Sequence, residues 1–290
     1  MAKTLITGAS KGIGRETALV LARAGHAVVA AMRTPKDCDL AEIAAREGLP
    51  ITVAELDVDD DASVARLFAT GPGAADSIDV LINNAGIYSI DAVEDETLAR
   101  FQEVMNTNYF GALRCIKAVA PAMRARRAGL IINVSSIAGR IAAAGSGAYA
   151  ASKFAVEGMS ESLAAEMSAF GVRVVLVEPG IIATPMTLAN LPKPKAGSPY
   201  PHGGRMRAFY TATPDSGPPP TVVAETMLEI VEGRTTRFRT PSGPDAEPFL
   251  GLRASMTDEA WIGMNDTLDD TVYFDRFLAL SGLDLRPTTT

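Results

Sequence analysis

The chain has 290 residues and a formal net charge of −7, from 27 basic and 34 acidic side chains. This acidic balance, without a long basic run, argues against nucleic acid as a partner. Cys38 and Cys115 are the only cysteines and lack metal-ligand spacing, so we expect reduced thiols and no metal site. The first apolar run is too short for a signal peptide or a membrane span, and we expect a cytoplasmic protein.

Taken in chain order, short apolar runs typical of buried strands alternate with longer helical patterns. Predicted strands cover residues 4–7, 27–31, 51–56, 80–83, 130–134 and 172–177. Predicted helices cover residues 13–24, 40–47, 62–69, 97–126, 148–170 and 221–232, with a short strand near Phe238. Most strands are continuously apolar, as strands covered on both faces are. The alternation predicts a single-domain α/β fold with a doubly wound parallel sheet flanked by helices.

Residues 185–220 break this alternation because they hold nine of the eighteen prolines. Such a composition resists regular structure. A surface loop or linker is one interpretation. We favour a mobile substrate lid, since the segment follows a strand whose carboxyl end opens onto the ligand crevice. Residues 241–290 form a C-terminal extension with partial helical periodicity, in which we expect Trp261 to serve packing rather than ligand contact.

A glycine-rich turn joins the first predicted strand to the first predicted helix. Its glycines, Gly8, Gly12 and Gly14, have the spacing G-x-x-x-G-x-G rather than the commoner G-x-G-x-x-G. Glycine lets the backbone turn tightly and approach a pyrophosphate, and the helix N-terminus offers free N–H groups to the phosphates. The turn therefore predicts a dinucleotide site, with an ordinary strand–helix connection as the alternative.

The end of the second predicted strand indicates which dinucleotide is bound. An NAD site commonly places an acid there to accept a hydrogen bond from the ribose 2′-OH. Here the strand ends at Met32-Arg33 without an acid, and Arg33 with Lys11 can face a 2′-phosphate instead. We therefore favour NADP(H). Asp37 keeps NAD(H) open, and the alternative role of the two basic residues is that of solvated surface cations.

Asp57 and Val58 follow the third predicted strand, where the adenine of such a cofactor would lie. Asp57 is placed to accept a hydrogen bond from the exocyclic amine. The acidic run over residues 57–61 also suits the N-cap region of a helix, so both roles stay open.

Tyr149 and Lys153 lie four residues apart in a predicted helix, with Ser136 thirteen residues before Tyr149. Positions i and i+4 share one face of a helix, which brings the ammonium near the phenol. A phenol ionises near pH 10, and a fixed positive charge moves its pKa toward working pH. The pair is therefore a candidate acid/base that exchanges a proton with an alcohol or ketone oxygen.

Together, these segments resemble the short-chain dehydrogenase/reductase family, whose single-domain members have a Rossmann fold. The resemblance runs through residues 3–184 and includes the glycine turn, Asn83-Asn84-Ala85-Gly86, Asn108 with Gly111, Ser136, Tyr149 with Lys153, and Pro179-Gly180 with Thr184. Residues 149–158 and Met32-Arg33 are similar to the steroid- and retinol-dehydrogenase-like members.

The resemblance implies a role for each matching residue. Tyr149 is the general acid in reduction and the general base in oxidation, and Lys153 lowers the pKa of the phenol and binds the nicotinamide ribose. Ser136 donates a hydrogen bond to the substrate oxygen, and Asn108 anchors a water that passes protons to Lys153. The implied cofactor contacts are Gly8, Ser10, Gly12, Ile13, Gly14, Asn84, Ala85, Gly86, Pro179, Gly180 and Thr184.

Two of these assignments have neighbouring competitors. Ser135 and Ser136 are adjacent and point to opposite faces of a strand, and the spacing to Tyr149 selects Ser136. Asn106 competes with Asn108, which has the following glycine at the family distance.

These roles predict an NADP(H)-dependent oxidoreductase that interconverts an apolar secondary alcohol and a ketone or aldehyde. A 3-oxoacyl-thioester reductase is the enzymatic alternative, with Arg205 and Arg207 as cations for a phosphopantetheine arm. A non-catalytic NADP(H)-binding sensor or scaffold is disfavoured because the serine, tyrosine and lysine are all present. The resemblance also implies a homodimer or homotetramer that pairs through the helices at 97–126 and 148–170.

Overall fold

The computed structural model describes residues 1–188, 196–212 and 217–286. In this part of the chain the strands are β1 (Lys3–Thr7), β2 (Ala27–Met32), β3 (Ile51–Glu55), β4 (Val80–Asn83), β5 (Gly129–Val134), β6 (Val172–Pro179) and β7 (Arg239–Ser242). They form one parallel sheet in the order β3-β2-β1-β4-β5-β6-β7. Because β4 pairs with β1 rather than β3, the strand order reverses between β1 and β4, and ligand crevices form at such a reversal.

Helices flank this sheet and connect its strands. Their bounds are α1 (Gly12–Arg23), α2 (Leu40–Glu47), α3 (Asp61–Ala69), α4 (Leu98–Met105), α5 (Gly111–Arg126), α6 (Gly147–Ser168), α7 (Pro185–Leu188), α8 (His202–Ala212), α9 (Thr221–Val231), α10 (Ala246–Ala254), α11 (Asp258–Gly263) and α12 (Asp270–Ser281). No helix in the described ranges is both long and apolar enough to cross a lipid bilayer.

The sheet carries a separate apolar core on each face. Ile6 and Ile82 pack with α1, α2 and α9 on one face. Leu5 and Leu81, their neighbours in the same strands, pack with α3, α5 and α6 on the other. Successive strand residues point to opposite faces, so both must be apolar when both faces are covered. This explains the continuously apolar strands and confirms the predicted α/β fold class.

The predicted helix over residues 97–126 is interrupted within its length. Thr97 caps α4 by accepting a hydrogen bond from the Arg100 N–H, and α4 and α5 are joined by a π-helical turn, Asn106–Phe110. Such single π turns are frequent at functional sites. This turn carries Asn108, and the prediction from periodicity alone gave no sign of it.

The proline-rich segment is more regular than predicted. Residues 185–188 form α7 and residues 202–212 form the eleven-residue α8, while residues 189–195 and 213–216 of the predicted lid lie outside the described residues. The prolines flank α8 rather than interrupt it, so they do not remove its internal hydrogen bonds. The C-terminal extension begins later than predicted, because β7 belongs to the sheet; Pro241 is tolerated there since β7 is an edge strand.

Candidate active site

One large cleft, of about 630 Å³, opens at the carboxyl edge of the sheet over the reversal point. Loops after β1, β2, β4, β5 and β6 form its walls, and α8 and the C-terminal helices close its outer end. Among the predicted site residues, the cleft is lined by Gly8, Ser10, Lys11, Gly12, Ile13, Arg33, Asp57, Val58, Asn84, Ala85, Gly86, Ser136, Tyr149, Lys153, Pro179, Gly180 and Thr184. Gly14 and Asn108 lie behind its wall.

The glycine turn after β1 is shaped by backbone conformation and close packing. Gly8 and Gly12 have φ of +66° and +58°, in the left-handed region that favours glycine. A Cβ on Gly14 would lie 2.5 Å from Nδ2 of Asn84 and 2.6 Å from the Gly8 oxygen. Asn84 in turn donates to the Thr7 and Gly8 carbonyls at 2.9 and 3.1 Å. Gly14 therefore allows the turn to pack closely against Asn84 in the loop after β4, and it does not face the cleft.

The first turn of α1 is open to an anion. Its N-cap residue, Lys11, makes no side-chain capping hydrogen bond, and the first turn has no acidic residue. The leading N–H groups of the helix are therefore free of side-chain caps at the positive end of its dipole. This open cradle fits the pyrophosphate of a dinucleotide.

The wall beside β2 carries cations without internal partners. Arg33 and Lys11 are exposed, and neither side chain makes a hydrogen bond or ion pair with another residue of the described chain. Asp37 lies on the same wall. One guanidinium and one ammonium group are therefore available to an anion at this end of the cleft, close to the carboxylates of Asp37 and Asp57.

The acidic run after β3 divides between a helix cap and the cleft. Asp60, not Asp57, caps α3 by accepting from the N–H groups of Ala62 and Ser63. Asp57 accepts only from the Asp59 N–H through Oδ1 at 3.0 Å, and its side chain lies on the cleft wall. Asp57 is therefore not the N-cap residue itself but belongs to the turn before α3, and its contact with adenine stays a prediction.

Lys153 is buried beside Tyr149 on α6. Its Nζ lies 5.6 Å from the centroid of the Tyr149 ring and donates to the Val134 carbonyl at 2.8 Å. Burial lowers the pKa of Lys153 to about 8, while the negative charge of Glu157 opposes that shift. Lys153 therefore changes its charge within the working pH range, which an exposed lysine does not.

The pKa of Tyr149 is raised above its ordinary value, opposite to the predicted lowering. Burial is the main cause, the nearby Tyr210 adds to it, and a hydrogen bond with Ser136 acts in the other direction. The Lys153 ammonium faces the ring and donates to a backbone carbonyl, so it does not offset the burial. The neutral phenol that results is a proton donor across the physiological pH range.

The two adjacent serines after β5 face different surroundings. Ser136 accepts from the Ala138 N–H at 3.1 Å and its hydroxyl lies 3.4 Å from the Pro179 carbonyl oxygen, on the Tyr149 side. The Ser135 hydroxyl is buried against Gly139, where an added Cβ would lie 2.5 Å from it. Geometry thus agrees with the choice of Ser136 as the serine next to the phenol.

Asn108 holds the loop after β4 in place from behind the wall. Its Oδ1 accepts from the Ile87 N–H at 2.8 Å, and its Nδ2 donates to the Ile87 carbonyl and to Ser152 Oγ, both at 2.9 Å. Both amide protons are therefore in use, so the predicted water would bind by donating to a carbonyl oxygen of Asn108, and it stays a prediction. Asn106 accepts from Arg114 instead.

Two further tyrosines, which no sequence motif would have selected, lie beside Tyr149. The Tyr88 ring meets Tyr149 edge-on at 5.1 Å, and its hydroxyl donates to that of Tyr210 at 2.8 Å. Tyr88 follows β4 and Tyr210 is on α8, so the hydrogen bond joins two distant segments over the phenol. Burial raises the pKa of both, and they remain neutral hydrogen-bonding groups.

The outer end of the cleft is apolar and aromatic. Helices α8 and α10 and the chain through α11 and α12 contribute Met206, Phe209, Phe249, Trp261, Met264, Tyr273 and Phe277. Trp261 was expected only to pack, but it lines the cleft while its Nε1 donates to the Ala142 carbonyl at 3.0 Å. The order of these residues along the chain carries no motif that would have shown their convergence.

Fold and site together place a tyrosine–lysine pair and a glycine-rich turn at the crevice of a parallel sheet. The chain belongs to the short-chain dehydrogenase/reductase family, since residues 2–194 match the family described as short chain dehydrogenase. Members of this family bind a nicotinamide cofactor and act on CH–OH groups of small molecules.

Particular relatives narrow the position within the family. Bovine (Bos taurus) retinol dehydrogenase 8 is 45% identical over 185 residues, which cover 62% of this chain and 59% of that protein. The match therefore spans less than two thirds of the relative's length, and it supports the predicted likeness to the steroid- and retinol-dehydrogenase-like members. A 3-oxoacyl-[acyl-carrier-protein] reductase from Synechocystis sp. is 38% identical over 71% of this chain and 88% of that one.

A solved structure shows the same architecture with a cofactor. A short chain dehydrogenase from Burkholderia cenocepacia, in complex with NADP, superposes with a TM-score of 0.72 at 26% identity. The superposition covers 92% of this chain and 98% of that one.

Proposed function

We propose that the protein is an NADP(H)-dependent oxidoreductase that interconverts an apolar secondary alcohol and its ketone, or an alcohol and its aldehyde. The proposal rests on one observation: a single cleft has two ends of different chemical character. One end has a phosphate cradle and free cations, the other is aromatic, and Ser136, Tyr149 and Lys153 lie where the two meet.

The cofactor end favours a phosphorylated ribose. Arg33 and Lys11 are free to pair with a 2′-phosphate, and a planar guanidinium suits that group. The solved structures do not decide the cofactor, since the one from B. cenocepacia is in complex with NADP and another, from Burkholderia phymatum, is in complex with NAD. The glycine turn and the open first turn of α1 would hold the pyrophosphate, and Pro179, Gly180 and Thr184 would border the nicotinamide.

The chemistry at the junction is a proton transfer coupled to hydride transfer. When bound, the nicotinamide supplies the hydride in reduction and accepts it in oxidation. In reduction, Ser136 Oγ and Tyr149 Oη both donate to the substrate carbonyl oxygen as negative charge develops on it, and Tyr149 then transfers its proton. Removing one donor of this kind costs about 10²–10³ in rate.

Lys153 supports the phenol as proton donor and acceptor. Its ammonium charge favours the phenolate that remains after proton transfer, and its Nζ is available to the ribose hydroxyls of a bound cofactor. Because Lys153 has a pKa near 8, this support is present below that pH and is lost as the pH rises through it.

The substrate end favours an apolar molecule over a thioester carried on phosphopantetheine. Arg205 lines the cleft, but it is only 2% exposed and its Nε and Nη2 are already engaged by Asp270, at 2.8 Å, and by the Thr267 carbonyl, which limits its reach toward an incoming phosphate. Arg207 is exposed but lies off the cleft wall. The aromatic lining instead suits a bulky hydrocarbon, and retinol dehydrogenase 8 among the relatives agrees with that class.

A panel of carbonyl substrates tests the proposal. Retinal, a 3-oxosteroid, a small methyl ketone and acetoacetyl-coenzyme A would each be assayed with NADPH and with NADH by the loss of absorbance at 340 nm. We expect turnover with NADPH on a bulky apolar carbonyl. Preferential reduction of acetoacetyl-coenzyme A would support the thioester reductase instead, and no turnover on any carbonyl with either cofactor would contradict the proposed function.

We also propose that the chain assembles as a homodimer or homotetramer through α4, α5 and α6. Phe110 and Phe154, on this set of helices, are 45% and 46% exposed, which leaves large apolar groups in water in an isolated chain. Light scattering on the purified protein measures the mass directly. A monomer at micromolar concentration would contradict this assembly.

A further inference from the structure

A cluster of carboxylates and arginines lies behind the cleft wall, next to Lys153. Glu157 and Glu178 are 5% and 0% exposed. Arg239 Nε donates to Oε2 of Glu157 at 2.8 Å, and Arg140 Nη1 donates to Oε1 of Glu178 at 3.2 Å. Buried carboxylates are costly unless they are paired, and the mechanism above makes no use of this pair.

Glu157 is held on the same face of α6 as Lys153. The two residues are four apart in the helix, a spacing that leaves about 5–6 Å between their Cβ atoms. Gly139 packs between them: a Cβ there would lie 2.9 Å from Cγ of Glu157 and 3.2 Å from the Lys153 carbonyl oxygen. The turn after β5 therefore fixes the Glu157 side chain beside the helical turn that carries Lys153.

The Glu157 carboxylate is only half satisfied by its arginine. Its Oε1 is buried and has no hydrogen-bond partner within the described ranges, and Oε2 of Glu178 is in the same position. A carboxylate oxygen without a partner in a low-dielectric interior acts strongly on nearby charges. Lys153 is the buried cation nearest in sequence, and its ammonium is held by a neutral carbonyl rather than by an acid.

We propose that Glu157 is a positioning residue for the reaction: its carboxylate, fixed by Arg239, keeps Lys153 in the ammonium form within the cleft wall. This inference rests on the proposed function, because it concerns the residue that supports the Tyr149 phenol there. Glu161 binds the same Arg239 at 2.6 Å but is exposed to water one turn further on, so it supplies a matched control.

The sign of the effect follows from the charges around Lys153. The charged and titratable groups on the elements around it are Tyr149 and Glu157 on α6, Glu178 on β6, Arg239 on β7, Arg140 after β5, Tyr88 after β4 and Tyr210 on α8. Burial already lowers the pKa of Lys153 to about 8, and Glu157 limits that shift. Removing the Glu157 charge leaves cations in excess, so Lys153 loses its proton at lower pH.

The test is an NMR titration of Lys153 that needs neither substrate nor turnover. The chain has seven lysines, which can be labelled with ¹³C at Cε, and Lys153→Arg assigns the signal of interest. We expect a midpoint near 8 in the natural chain, about one pH unit lower in Glu157→Gln, and unchanged in Glu161→Gln. An unchanged midpoint in Glu157→Gln, or an equal fall in Glu161→Gln, would overturn the inference.

A second variant covers the case in which Glu157→Gln does not fold. The double variant Glu157→Met/Arg239→Met removes the buried pair together, which disturbs folding less than breaking it. Because Glu157, and not Arg239, is the charge that shifts the pKa of Lys153, the Lys153 midpoint should still fall. A midpoint that stays or rises in the double variant would overturn the proposal just as directly.

Kinetic measurements then test whether the charge of Glu157 affects the reaction. With the best carbonyl from the panel, the alkaline limb of the pH profile of kcat/KM for reduction should move to lower pH in Glu157→Gln. In Glu157→Asp, which keeps the negative charge, this limb should return to the pH seen in the natural chain. An NMR midpoint that moves without the alkaline limb would refute a role in the reaction. Since the titration is independent of turnover, an inactive protein would contradict the proposed function and leave the effect of Glu157 on Lys153 measurable.

Discussion

The cofactor end and the substrate end of the cleft are built from different parts of the chain. The cofactor end is formed largely by backbone: the left-handed glycines of the turn after β1 and the open N-terminus of α1. The substrate end is formed by side chains from α8 and α10–α12, among them Phe209, Trp261 and Phe277. A backbone site requires particular glycines, whereas a side-chain site requires only apolar volume. In the proposed function, the first would therefore hold the shared cofactor and the second would set the choice of substrate.

The largest effect is expected where the two ends meet. Tyr149→Phe keeps the ring but removes the proton donor, so turnover should fall by about 10²–10⁴-fold while NADPH binding, followed by fluorescence titration, stays near that of the natural chain. Tyr88→Phe is the control, because it removes a hydroxyl from the same wall without touching the reacting oxygen. Ordinary activity in Tyr149→Phe would mean that another group supplies the proton.

At the backbone end, Gly14→Ala should be poorly tolerated. Its Cβ would lie 2.5 Å from Asn84 and 2.6 Å from the Gly8 oxygen, so the turn must open and NADPH binding should be lost. We expect a loss of about 1–3 kcal/mol in the free energy of unfolding, measured by denaturant titration. Gly158→Ala, where nothing lies within 4 Å of the added carbon, is the control and should be harmless.

A smaller effect is expected from Arg33→Ala at the same end. The loss of one charged hydrogen bond to a 2′-phosphate, about 1.5 kcal/mol, should raise KM for NADPH about tenfold and leave KM for NADH unchanged. Arg66→Ala removes an exposed cation on α3 and controls for net charge. Equal changes for both cofactors in Arg33→Ala would refute the proposed recognition of the 2′-phosphate.

The smallest effect is expected at the side-chain end. Trp261→Ala should raise KM for the bulkiest carbonyl by about fivefold, equivalent to about 1 kcal/mol of lost apolar contact. KM for a small methyl ketone and for NADPH should not change. Ile262→Ala, at the adjacent residue that is 69% exposed, is the matched control. A comparable rise for the small ketone would show that the cleft is disturbed as a whole.

The same contrast explains which parts of the molecule could be predicted. Continuous apolar strands and the glycine turn are local patterns. They predicted the sheet, which the structure confirms, and a turn that lies on the cleft wall, whose binding of phosphates stays a prediction. The position of Trp261 on the cleft wall depends on how α10–α12 pack, and no local pattern encodes that packing. The π-helical turn with Asn108 was missed for a related reason, since its residues include neither proline nor glycine and so do not mark a break in the helix.

The pKa of Tyr149 was predicted in the wrong direction because the prediction considered one neighbour. Spacing on α6 identified the cation at Lys153 but not the cover provided by Tyr88 and Tyr210. Tyr210 comes from the proline-rich segment, which gave no helical pattern in the sequence. Desolvation is a property of the folded environment, so it becomes visible only once distant segments are in place.

The strand β7 links the C-terminal part of the chain, through an ion pair, to α6, the helix that carries Tyr149. Arg239 on this strand binds Glu157, 82 residues earlier in the sequence. Removing the chain from residue 239 onward would leave the buried Glu157 carboxylate without its counter-ion. Breaking a buried ion pair in this way lowers the free energy of unfolding by about 3–5 kcal/mol. The chain from residue 239 onward is consequently tied to the rest of the fold, because the charge balance beside Lys153 depends on Arg239 in its first strand.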